Sequence, residues 1–163
     1  MREIVLNGLC LLLALVCAWH VEDRRLEVRL AAALLVANWA IYIAAWSPVP
    51  PASLFWSLGL HVRSEDLWIV ADALCGALIL ALGSDRGWGW ALWALYAAQC
   101  FFHVLRDLGA LGFGGYSFAL NQLFLGQVAV FVFIGGKCVG DRVVRARAVR
   151  GLVHNIVEKA AWR

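Results

Sequence analysis

Five runs of apolar residues leave this chain little choice of fold: Ile4 to Val21, Leu30 to Trp46, Leu67 to Gly83, Trp88 to Leu105 and Tyr116 to Gly136. Each is close to the roughly 17–25 residues that carry a helix across a bilayer. Backbone N–H and C=O groups find no water in hydrocarbon, so a spanning segment must satisfy its own hydrogen bonds. The runs also lack the in-and-out alternation of barrel strands. The expected fold is therefore all-α, an integral membrane bundle of five transmembrane helices over residues 1–136, followed by a basic tail at 137–163. Composition agrees, since 63% of the residues are hydrophobic and 15% charged, against about 25% charged in soluble domains.

The second loop, with Pro48, Pro50 and Pro51 at its start, excludes a continuous helix there. Its middle, Ala52 to Val62, is apolar but too short to span. It reads as an interfacial or re-entrant segment anchored by Phe55 and Trp56.

Basic residues orient the bundle. With five spans, one side receives Arg24, Arg25, Arg29, Arg86, Lys137, Arg142, Arg145, Arg147, Arg150, Lys159 and Arg163, and the other only Arg2, Arg63 and Arg106. The positive-inside bias then predicts an N-terminus outside and a C-terminus in the cytoplasm of a bacterial inner membrane. Ile4 to Val21 is expected to be retained rather than cleaved as a signal peptide. Arg2 is offset by Glu3, no small-residue cleavage site follows, and removal would put the basic tail outside.

Polar residues inside the spans are the candidates for function, because each is costly in hydrocarbon unless paired. Asn7, Asp72, Gln99, His103, Asn121 and Gln122 all fall about 3 to 9 Å below the outer edge, at about 1.5 Å per residue. Asn38 and Gln127 fall near the midplane. The expected arrangement is a polar layer in the outer half, built by four of the five helices. It either lines a vestibule with Asp72 and His103 as a titrating pair or holds the bundle together by mutual hydrogen bonds. Gln99 and His103 are four apart and share a helix face, which Arg106 continues, and Gly76 lies one turn along the face of Asp72.

From Asp72 through "GSDRGWGWALWALYAAQCFFHVLRDLG" to Tyr116 the chain resembles a family of small polytopic membrane proteins of alphaproteobacteria and their phages. The shared features are an acid early in one span, the Arg86–Trp88 loop, and Gln99 followed four residues later by His103. The resemblance implies this topology and a bacterial or phage origin, and brings no activity with it.

Other chemistries find little support. Cys10, Cys17, Cys75, Cys100 and Cys138 contain no C-x-x-C pair and mostly lie in apolar runs, as buried small hydrophobes do. Of the four histidines, His20 and His154 fall on the cytoplasmic side and His61 and His103 outside; only the latter two could meet, and no metal or other cofactor is expected. "GALGFGGYS" follows no strand and lacks the lysine of a phosphate loop. In the tail, Val149, Leu152, Val153, Ile156 and Ala160 form a helical stripe with Arg142, Arg145, Arg150 and Lys159 mostly off it. This fits an amphipathic helix on an anionic leaflet; without interleaved aromatics, nucleic acid is not expected as a partner.

A small chain that is nearly all span, with a polar outer layer and no enzyme motif, fits a membrane-permeabilising or pore-forming protein of the phage holin kind, self-associating or bound to other membrane proteins in the bilayer. The alternatives are an accessory or scaffold subunit of a membrane assembly, and a small proton-linked carrier that uses Asp72 and His103.

Overall fold

The computed structural model describes residues 2–21, 25–45 and 64–161. The proline-rich loop with its expected interfacial segment lies outside them, as does His61. Five helices and no strand occur among the described residues: α1 (Arg2–Trp19), α2 (Arg25–Ala45), α3 (Ser64–Gly83), α4 (Gly87–Asp107) and α5 (Phe113–Ala161). Three of them, α2, α3 and α5, are long and apolar enough to cross a membrane, while α1 carries a shorter apolar stretch, Val5–Trp19.

The helices are longer than most of the apolar runs that announce them. α2 starts at Arg25, not Leu30, because an opening stretch containing Glu27 and Arg29 can be helical in water as well as in lipid. α5 is the extreme case, 49 residues without interruption, about 73 Å at about 1.5 Å per residue. The expected division at residue 137 is thus not a break in the backbone.

The helices form a closed ring. The main contacts run from α1 to α2, α2 to α3, α3 to α4, α4 to α5, and from α5 back to α1. Small residues permit the closest approaches. A Cβ on Gly89 would run into the Gly83 carbonyl across the α3–α4 turn, and one on Gly135 would sit 2.7 Å from Cys17 Cβ. The α4–α5 turn uses Gly109 at φ 70, the left-handed conformation that turns the chain so that the Ala110 N–H reaches the Leu105 carbonyl and closes the helix.

Inside the ring, Leu35, Ile79, Leu92 and Phe131 are buried. Outside it, Leu9, Leu12, Val70, Leu74, Phe101, Phe118 and Phe133 are exposed. An apolar exterior of this extent is what lipid, not water, accommodates.

Candidate functional site

Near one end of the ring the interior turns polar. Asp72, on α3, and His103, on α4, face each other with Asp72 Oδ2 and His103 Nε2 3.0 Å apart, and the two residues are 4% and 3% exposed. Asn38 on α2 donates from Nδ2 to Asp72 Oδ1 at 2.6 Å. On the far side of the imidazole, the Tyr116 hydroxyl of α5 lies 2.7 Å from His103 Nδ1. A single hydrogen-bonded chain, Asn38–Asp72–His103–Tyr116, thus links four helices.

This chain has two complete hydrogen arrangements. A neutral imidazole donates from Nε2 to the carboxylate and accepts the Tyr116 O–H at Nδ1. A doubly protonated imidazole donates from both nitrogens, and the Tyr116 oxygen accepts. The two differ by one proton on Nδ1 and by the direction of the Tyr116 hydroxyl hydrogen.

Aromatic rings enclose it. Trp68 lies 5.9 Å from the His103 ring and 5.5 Å from Tyr42, and Tyr116 lies 5.5 Å from His103, all between ring centroids. Such a wall lowers the local dielectric and strengthens the ionic hydrogen bonds inside. About one turn deeper, Gln127 of α5 donates from Nε2 to Gln99 Oε1 of α4 at 2.8 Å. The thiols of Cys75 and Cys100 donate weakly to the Leu34 and Ile69 carbonyls, tying α3 to α2 and α4 to α3.

The polar cluster overlaps only in part with the residues expected to form a layer. Asp72, Gln99 and His103 lie within it, buried and bonded. Asn7 and Asn121 are half-buried, Gln122 is exposed, and none of the three joins the network. Asn38 and Gln127, expected deeper, take their places, so that α2 rather than α1 supplies the fourth helix. Tyr116, expected only to begin the last span, is a central member. Gly76 does admit a neighbour, the root of Tyr96, whose Cβ would lie 3.0 Å from a Cβ at that glycine. Among the described residues no three His, Cys, Asp or Glu side chains are grouped to hold a metal ion.

At the opposite end of the ring the basic residues have local work. Arg29 donates to the Trp19 carbonyl at 3.0 Å and stacks 4.1 Å over the Trp19 ring; Arg142 donates to the His20 carbonyl at 2.6 Å. The two cations thus satisfy the last carbonyl of α1 and the one just after it, at the negative end of its dipole. Arg145 and Arg150 are exposed, and the side chain of Lys159 lies outside the described residues.

No family model, curated protein or solved structure matches the chain.

Proposed function

We propose that the protein is a small proton-linked carrier of the bacterial inner membrane. Its working group is the buried Asp72–His103 pair, oriented by Asn38 and Tyr116. The observation that supports this most is the two-sided use of His103: an ionisable ring with a carboxylate on one nitrogen and a hydroxyl on the other, sealed among helices. Intramembrane ionisable residues arranged in this way mark proton relays.

All five helices cross the bilayer in this reading. Ring closure supports it, because α1 and α4 pack alongside neighbours that are themselves long and apolar enough to span. The lower apolarity of α4 follows from its tryptophans and from polar side chains that it turns inward, Gln99 and His103. The bias of basic residues gives an N-terminus outside, the Asp72–His103 end facing outward and the tail in the cytoplasm. A reporter at Gly112 is then labelled from outside, and a C-terminal phosphatase fusion is inactive; the reverse pair of results inverts the topology.

The permeabilising reading needs polar side chains turned outward, so that several copies share a pore. Here the connected polar groups turn into the ring, and Gln122 is the exposed member of the expected layer. This favours the carrier. The deciding experiment is proton flux into liposomes that trap a pH-sensitive dye, driven by an imposed potential. Wild-type protein admits protons, and Asp72→Asn and His103→Gln, folded and inserted, do not. Equal flux through wild type and both variants, with loss of small dyes, restores the pore reading; no flux through any of them leaves the scaffold.

A further inference from the structure

Two polar atoms lie deeper in the ring than the Asp72–His103 chain. Tyr96 is 1% exposed and its hydroxyl meets no hydrogen-bond partner. Gln127, also 1% exposed, commits its amide N–H to Gln99 and leaves its own Oε1 unmatched. Gln99 relates the two, since it is bonded to Gln127 and shares α4 with Tyr96. Tyr96 is about one turn from Gln99 on α4, and its side chain begins against Gly76, itself one turn from Asp72. Buried polar atoms of this kind are normally matched by protein or by ordered water, which typically makes about three hydrogen bonds.

We propose that Tyr96 Oη and Gln127 Oε1 bind ordered water in the core of the ring. The Tyr96 hydroxyl donates to the water. The water donates to Gln127 Oε1 and to Gln99 Oε1, a carbonyl-type oxygen with a second lone pair beyond the one that Gln127 Nε2 uses. Gln99 and Gln127 are then two walls of a hydration site as well as an interhelical clasp. Beyond it the ring is filled by Leu92 and Phe131, both 0% exposed, so the hydrated region ends there. The site itself stands on the two unmatched atoms. Its use, as an inward extension of the proton path, rests on the carrier reading.

The test is hydroxyl-radical footprinting of the full-length protein in nanodiscs by X-ray radiolysis, read by mass spectrometry. Radicals formed from bound water modify a buried side chain that bulk solvent does not reach. Tyr96 should be modified at least about five-fold faster than the equally buried Phe131, because only Tyr96 touches water. Gln127→Leu, or Gln127→Met where the leucine variant does not assemble, should bring Tyr96 down to the rate of Phe131. Tyr96 reacting no faster than Phe131 in the wild-type protein overturns the proposal, and so does a Tyr96 rate that neither Gln127 variant lowers. A hydrated Tyr96 in a protein whose proton flux ignores Asp72→Asn would keep this site and discard the carrier.

Discussion

The two ends of the ring both carry polar bonds between helices, on opposite terms. At one end Asp72, His103 and Tyr116 are buried and bond side chain to side chain, so each needs one particular partner. At the other, Arg29 and Arg142 donate to the last backbone carbonyl of α1 and the one just after it, within reach of solvent. Water can replace an arginine at an exposed carbonyl, but it cannot replace Asp72 between Asn38 and His103 without opening the ring. Burial, more than the number or length of the bonds, decides which end is indispensable.

That contrast can be broken by substitution, and the largest effect should come from Asp72→Leu. It leaves Asn38 Nδ2 and His103 Nε2 buried without their acceptor, at about 1–3 kcal/mol for each unsatisfied group. Equilibrium unfolding in mild detergent measures it; a loss below about 1 kcal/mol would mean that the polar end is no more demanding than the basic end. Asp72→Asn, which keeps the size and much of the bonding, should retain most of the stability while losing proton flux.

Next in size is Gly89→Ala. The added methyl meets the Gly83 backbone and must splay the α3–α4 hairpin, at about 1–3 kcal/mol. The same measurement should place it below Asp72→Leu. An unchanged unfolding midpoint would show that the hairpin relaxes freely.

Tyr116→Phe sharpens the comparison within the polar end. It removes one hydrogen bond to His103 and no packing, so a loss of about 1 kcal/mol is expected. The functional effect should exceed the structural one, since the phenylalanine leaves Nδ1 with nothing to exchange with. Proton flux equal to wild type would take Tyr116 out of the relay.

The smallest effect is expected from Arg142→Ala, about 0.5 kcal/mol or less and further reduced by salt. A loss comparable to that of Asp72→Leu would overturn the distinction between the two ends.

How much of this was legible in the sequence differs between fold and site. The helices were, because apolar runs of bilayer length have few other solutions. Their ends were not: an apolar run stops where lipid stops, whereas helical hydrogen bonding continued through Glu27 and Arg29 in α2 and along the basic tail of α5 as far as Ala161. The misplacement of Asn38 follows from that difference. Counted from the edges of apolar runs it lies deeper than Asp72; counted from the observed ends of α2 and α3 each lies about two turns in, and they meet. Asp72, Gln99 and His103 stood out as polar groups in apolar company. Asn7 and Gln122 did too, but a helix that is apolar all round gives no phase to say which face turns inward. Tyr116 was masked by its type, because tyrosine at a span end is ordinarily an interfacial anchor. The ring order needed contacts that no local pattern encodes.

The unbroken course of α5 gives the molecule a mechanical property. Tyr116 sits in its first turn and Arg142 about seven turns along the same rod. A helix whose hydrogen-bond ladder is continuous moves as one shaft, so a slide or rotation that lets Tyr116 release His103 is delivered to the arginine clamp on α1. In the carrier proposed above, proton occupancy at the Asp72–His103 end is thereby geared to the hold that Arg142 of α5 has on the chain just after α1.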